Sequence, residues 1–245
     1  MKGYCVFFIL MLAFFMASSA LGDDEGLVGY WSFDEGSGDV AEDSSGNGND
    51  GDLVRDPEWV DGKYGKALKF TAAQRHKVEI PHSDSFATIT EAVTMESWIN
   101  PANFNAWFAF GVKADITYGM FINPSRYVRI HYSGDSTLDT PANSINANEW
   151  THVVGTYDGT TVRIYLNGEV KAEMDASAAI PANSSSFVIG GTQESRDWFD
   201  GMIDEVKLYN RGLTEDEVKT SMQGPNTLVA PAGSIAVTWG NIKSH

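Results

Sequence analysis

From Leu27 onward, short apolar or alternating runs are separated by Gly, Asn, Asp, Ser and Pro, at 27–33, 67–70, 77–80, 92–99, 107–112, 118–122, 127–132, 150–157, 161–166, 169–174, 187–189 and 199–209. Runs of this length bounded by turn residues predict antiparallel strands packed as a sandwich. The clearest local signal is a pair of tight turns, Asp158-Gly159 and Asn167-Gly168, each flanked by strand-like residues. Such dipeptides accept the positive φ of two-residue hairpins, so residues 150–174 are expected to form a three-stranded meander. One helix is predicted over 214–223, where Thr214-Glu215-Asp216-Glu217 has capping-box spacing and Gly224-Pro225 ends the segment.

The N-terminus departs from this rhythm. Lys2, an apolar run from Tyr4 to Met16, and the small residues Ala17-Ser18-Ser19-Ala20 before the acidic Asp23-Asp24-Glu25 predict a secretory signal peptide at 1–22. Its apolar stretch is short for a bilayer span, so cleavage and export, with no remaining membrane insertion, are expected. The expected organisation is therefore a leader at 1–22, one domain at 23–224, and an extension or linker at 225–245. The destination is secreted or cell-surface.

Charge and cysteine narrow the chemistry. The formal charge of −16 becomes −17 once Lys2 leaves with the leader, which argues against nucleic acid and anionic membrane surfaces as partners, since phosphate binding rests on Lys and Arg. The only cysteine is Cys5, inside the leader. The exported part then has no thiol nucleophile, no Cys-ligated zinc and no disulfide, and must rely on its core or on another cross-link.

A calcium ion is one such cross-link. The stretch Asp34-Glu35-Gly36-Ser37-Gly38, continuing through Asp43-Ser44-Ser45-Gly46-Asn47-Gly48-Asn49-Asp50-Gly51, gathers carboxylates, amides and glycines of the kind that supply oxygen ligands to a hard cation. The same residues also build ordinary exposed turns. Neither an EF-hand nor a stacked glycine-rich repeat is present, so remaining ligands must come from elsewhere. Far along the chain, strict alternation through Gly201–Tyr209 puts Met202, Asp204, Val206 and Leu208 on one face. A carboxylate on a core face needs backbone amides, an arginine such as Arg211, or a cation.

The segments Gly29-Tyr30-Trp31-Ser32-Phe33-Asp34-Glu35-Gly36-Ser37-Gly38, Asp43 to Gly51, Gly65-Lys66-Ala67-Leu68, Glu96-Ser97-Trp98-Ile99, Asn148-Glu149-Trp150-Thr151-His152-Val153, Tyr165-Leu166-Asn167-Gly168 and Ile203-Asp204-Glu205-Val206 with Tyr209-Asn210-Arg211 together resemble a bacterial laminin G-like domain. The resemblance covers nearly all of 26–223. It implies an all-β fold, a two-sheet antiparallel jelly roll of the concanavalin A-like lectin/glucanase kind, with its first and last strands side by side. It also implies a structural Ca²⁺ near that junction, its role carried onto Asp34, Asp43, Asn49 and Asp204, with Asp50 or Asn47 interchangeable with Asp43 and Asn49. Chelation is then expected to lower the melting temperature.

Catalytic signatures are absent from the sequence. No Glu-x-Asp-x-x-Glu run of the kind used by related endoglycosidases occurs, Glu96 is a lone acid near Trp98, and Asp204 and Glu205 alternate to opposite faces. No nucleophile elbow is present, and the histidines show no metal or triad spacing; His131 and His152 read as hydrogen-bonded structural residues. A carbohydrate surface is the better expectation. Trp107, Trp198, Tyr118 and Tyr132 fall near strand ends, and Glu194, Arg196 and Asp197 adjoin Trp198. Trp107, Arg196 and Trp198 are the candidate ligand residues. The reading is an exported, non-catalytic module for a glycan or another extracellular protein; the alternatives are a glycan-cleaving enzyme with another carboxylate arrangement and an adhesive surface component.

Overall fold

A computed structural model describes residues 25–113, 117–193 and 196–224. The expected leader, the extension at 225–245 and Glu194 lie outside them. In chain order the strands are β1 (Leu27–Trp31), β2 (Val40–Ala41), β3 (Gly51–Val54), β4 (Glu58–Asp61), β5 (Lys66–Phe70), β6 (Lys77–Ile80), β7 (Val93–Pro101) and β8 (Phe108–Lys113). They continue as β9 (Tyr118–Ile122), β10 (Val128–Ser133), β11 (Ser136–Asp139), β12 (Thr151–Tyr157), β13 (Thr161–Leu166), β14 (Glu169–Asp175), β15 (Phe187–Ile189) and β16 (Gly201–Tyr209), followed by helix α1 (Glu215–Ser221).

Two antiparallel sheets face each other. Sheet A runs β14-β13-β12-β7-β16-β5-β4, with β1 also paired to β16, and sheet B runs β11-β10-β9-β8-β15-β6-β3-β2. The first and last strands are therefore neighbours, as the resemblance implies, with Trp31 opposite Val206. The meander forms from β12, β13 and β14. Alternating residues close the core between the sheets: Val93, Met95 and Ile99 from β7 meet Phe108, Phe110 and Tyr118 from sheet B. Trp31 stacks on Phe187 of the opposite sheet, ring centroids 5.6 Å apart, and its indole N–H donates to the Asn49 carbonyl at 2.8 Å. Each fully buried side chain of this size contributes about 1.5–3 kcal/mol by leaving water.

The central strand β7 is buried along its whole length, because its other face is covered too. Helix α1 lays Val218 against Val154, Tyr165, Tyr209 and Leu213. Its start is fixed by Thr214, whose hydroxyl accepts from the Glu217 amide while the Glu217 carboxylate accepts from the Thr214 amide. The outer face of sheet A is thus closed by a helix, and among the described residues no helix is long and apolar enough to cross a membrane.

The register of β16 differs from strict alternation. A bulge between Asp204 and Lys207 puts Asp204 opposite Trp98 and Lys207 opposite Glu96, and Glu205 takes the left-handed φ of 53°. One extra residue shifts the pleat, so Ile203, Val206 and Leu208 face the main core. Asp204 does not share that face, contrary to the expectation, and Asp204 and Glu205 do not diverge to opposite faces. Both are buried, 0% and 2% exposed, on the outer face of sheet A.

Candidate functional site

The side chains expected to share a cation divide into two groups. Asp43 belongs to the early loop, where its carboxylate accepts from the amides of Tyr30, Ser45 and Asn49 and from the Ser45 hydroxyl at 2.8–3.0 Å. Asn49 donates to the Val28 carbonyl and to the Ser85 hydroxyl, and its side-chain oxygen accepts from the Ser83 hydroxyl at 2.5 Å. These contacts tie the loop to β1 and to the turn before residue 86. The Asp43–Ser45 bond is an Asx turn, and the Asp50 carboxylate closes the loop by accepting from the Asp43 amide.

Asp34 and Asp204 form the second group, at the turn joining β4 to β5. The chain has left β1 before Asp34, since Phe33 turns with a φ of 58°. Asp34 then accepts from the Lys66 amide at 2.8 Å, while Asp204 Oδ2 accepts from the amides of Lys63 and Tyr64 at 2.8 and 3.0 Å. A side chain at Gly62 or Gly65 would collide with these carboxylates. Glu205, which is not among the expected ligands, joins the group by accepting from the Tyr30 hydroxyl at 2.6 Å.

The electrostatics of this group are unresolved internally. Asp204 Oδ1 and Glu205 Oε1 are buried without hydrogen-bond partners. Burial, aided by the Glu205 charge and opposed by the two turn amides, pushes the Asp204 carboxyl up to about 7. Burial also raises Glu205, against the pull of Tyr30 and Lys207. Two adjacent buried carboxylates call for a proton or a cation. The four expected ligands do not converge, and among the described residues no group of three or more His, Cys, Asp or Glu side chains stands ready to hold a metal ion.

Next to this group lies a different acid. Glu96 Oε1 accepts from the Ser221 hydroxyl at 2.6 Å, meets His152 Nε2 at 3.0 Å and lies 3.6 Å from Lys207 Nζ. No spacing along the chain marks this pair, because Glu96 and His152 are brought together only by the β7–β12 ladder. Glu96 and His152 are 1% and 0% exposed under α1, so the network holds the helix to the sheet and is closed to a substrate.

Sheet B is built differently on its outer face, which no helix among the described residues covers. In β8 a bulge between Ala109 and Gly111 puts Ala109 and Val112 on one face, and with Phe121 of β9 they form an apolar floor, with Trp107 packed against it. Along one side stands Arg129, its guanidinium 5.0 Å from the Trp107 ring and 5.7 Å from Tyr127. It is held by two 2.7 Å hydrogen bonds to Asp139, which raise its already high pKa and fix its plane. His131 stands over Phe121, ring centroids 5.2 Å apart. On the other flank Lys77 pairs with Glu79 at 2.7 Å.

The segments that carry the expected ligand residues come together through the backbone at one end of this face. The Ala109 amide donates to the Asp197 carbonyl at 2.7 Å, which brings the 196–198 segment to the start of β8, beside half-buried Trp107. Thr192 closes the preceding loop through its amide and hydroxyl to the Arg196 carbonyl. Arg196 is exposed, with its guanidinium 3.8 Å from the Asp197 carboxylate. Half-buried Trp198 packs over Gly191, where a side chain would strike its ring at 2.8 Å. Tyr118 and Tyr132, the other aromatic candidates, are 2% and 5% exposed members of the core, so they cannot serve this surface.

A family model matches residues 73–219, more than half of the chain. The chain belongs to the concanavalin A-like lectin/glucanases superfamily. Domain 4 of AbnA, an extracellular arabinanase of Geobacillus stearothermophilus solved in complex with arabinotriose, superposes with a TM-score of 0.63 at 21% identity, over 79% of this chain and 96% of that one. The binding domain of Paraclostridial Mosquitocidal Protein 1 gives 0.64 at 16% identity, over 82% of this chain and 52% of its own. A Trypanosoma rangeli sialidase gives 0.58 at 20% identity, over 81% and 32%. The chain thus spans about half of the toxin domain and a third of the sialidase. These identities establish a shared concanavalin A-like jelly roll. No curated protein matches the sequence.

Proposed function

We propose that this concanavalin A-like domain is an exported, non-catalytic carbohydrate-binding module whose ligand lies on the outer face of sheet B. The observation that carries the reading is the meeting of Trp107 and the Arg196–Trp198 segment at one end of β8, beside the Arg129–Asp139 fork. Partly exposed rings offer apolar faces to a sugar, and the flanking guanidinium and carboxylate groups offer directional bonds to its hydroxyls. The arabinotriose held by the arabinanase domain, a jelly roll of nearly the same extent, supports the same class of ligand. An extracellular protein is the competing partner.

The non-catalytic part of the reading rests on where the acids lie. Glu96, Asp204 and Glu205 are buried under α1 and the Gly62–Lys66 turn, away from the open face. Calcium enters as a structural ion, with Asp204 and Glu205 the residues that would hold it, supported by their unpartnered buried oxygens. Export is supported by the composition of residues 1–22; N-terminal sequencing of the secreted product tests it.

Retention on immobilised polysaccharides and titration with the best oligosaccharide test the surface. Trp107→Ala and Trp198→Ala are each expected to weaken binding about tenfold, as loss of one stacking ring implies, with folding of each variant verified by circular dichroism. A panel in which no glycan is retained, or in which both variants bind like the parent, overturns the assignment.

A further inference from the structure

At the opposite end of β8 the sandwich opens into a cavity of about 240 Å³ lined by His82, Phe86, Ile89, Lys113, Tyr118 and Asn183, with Pro181 among its remaining walls. Lys113 ends β8 and is 1% exposed, an unusual place for an ammonium group. Its Nζ lies 3.0 Å from His82 Nδ1, donates to the Ser185 carbonyl, and stands 4.2 Å from the Phe86 ring centroid. Among the described residues no carboxylate pairs with it. An ammonium has three N–H donors, and these contacts use two.

Tyr118, paired directly across the hairpin from Lys113, carries the second unused donor. It is 2% exposed and its hydroxyl is buried without a partner. A buried hydroxyl left unsatisfied is costly, and an acceptor on a ligand would relieve that cost. His82 accepts rather than competes: burial and the Lys113 charge both lower its pKa and outweigh Asp84, which leaves the ring neutral. The cavity therefore offers one uncompensated positive charge and two unsatisfied donors, above apolar walls from Phe86, Ile89 and Pro181.

We propose that this cavity binds a small organic carboxylate. One carboxylate oxygen accepts from Lys113 Nζ and the other from the Tyr118 hydroxyl, while the body of the ligand lies along Phe86 and Ile89. The ion pair supplies the charge that Lys113 lacks, and burial strengthens it relative to a surface pair. A free acid and the uronate unit of a sugar share this chemistry. The site is separate from the sheet B face, so it stands if that assignment fails.

Isothermal titration of the full chain with D-glucuronate, benzoate and neutral D-glucose tests it. At least one of the two carboxylates is expected to bind and glucose is not; tighter glucuronate identifies an acidic sugar, tighter benzoate a free acid. Tyr118→Phe removes only an unpartnered hydroxyl, so it is expected to melt no lower than the parent while binding the carboxylate about tenfold more weakly. Lys113→Met is expected to abolish binding, with folding verified by circular dichroism. No binding of either acid, equal binding of glucose, or unchanged affinity in Tyr118→Phe overturns the proposal.

Discussion

Replacing Glu96 with alanine is expected to lower the free energy of unfolding by about 3–5 kcal/mol, the usual loss when one partner of a buried charged network is removed. The truncation leaves Lys207 without its buried carboxylate and the His152 ring and Ser221 hydroxyl without their shared acceptor. Because Ser221 closes α1, the helix that covers Val154, Tyr165 and Tyr209 is weakened with it. Urea unfolding should show a lower midpoint at nearly constant slope. Glu96→Gln keeps an oxygen that can accept from Ser221 and is expected to lose less. The pH dependence has a defined sign. Burial alone would raise this carboxyl, but Lys207, His152 and Ser221 outweigh it and hold it down to about 2. A depressed folded value contributes stability above the unfolded value of about 4.5 that is lost as pH falls towards 2. Equal stability of parent and Glu96→Ala at neutral pH would show that the network contributes nothing.

Neither the Glu96–His152 contact nor its closure by α1 was legible from the sequence, although the elements that make it were. The turn dipeptides Asp158-Gly159 and Asn167-Gly168 located β12, β13 and β14, and the capping box located α1, because these signals are local. Contacts between β7 and β12 depend on which strands become neighbours, and no spacing in the sequence records that. Strands β2, β3, β4 and β11 were also missed. They are two to four residues long; β2, β4 and β11 lie at sheet edges, and β3 begins within the Gly-rich loop. Short polar segments of this kind take their conformation from the neighbouring strand rather than from their own pattern.

The sites divide in the same way. Trp107, Arg196 and Trp198 are separable in the sequence as chemistry near strand ends, and the Ala109–Asp197 backbone bond brings their segments together. Arg129 and His131 were within reach of the same reading, since alternation in Val128-Arg129-Ile130-His131-Tyr132 sends both away from the core. The Lys113 cavity was beyond it: a lysine closing an apolar strand reads as an exposed end until the 181–184 segment and Phe86 are seen to wall it in. The acids illustrate the opposite error. Strict alternation assigned Asp204 to the core face, and one bulge residue, Glu205, moved it to the other side of the sheet.

That bulge leads to the second large effect. In calcium-free buffer the parent is expected to lose stability relative to Asp204→Asn as pH rises from about 4 to about 7, by up to ~4 kcal/mol for a carboxyl displaced by about three pH units. The folded Asp204 carboxyl, raised to about 7 by burial, binds its proton more tightly than the unfolded chain does. Between the two values the native state therefore carries the extra proton, and raising the pH removes it at the expense of the fold; above about 7 the difference levels off. The asparagine has no charge to bury, its oxygen can still accept from the Lys63 and Tyr64 amides, and its amide can donate to the unpartnered oxygen of Glu205. Calcium added at pH 8 is expected to raise the melting temperature of the parent and leave that of Asp204→Asn unmoved, because a cation bound only by the native state stabilises by mass action. Identical parent melting curves with calcium and with chelator would eliminate the ion and leave the proton as the only neutralising species. A parent that grows more stable than the variant between pH 4 and 7 would show the carboxylate to be held ionised, and would remove the argument for both.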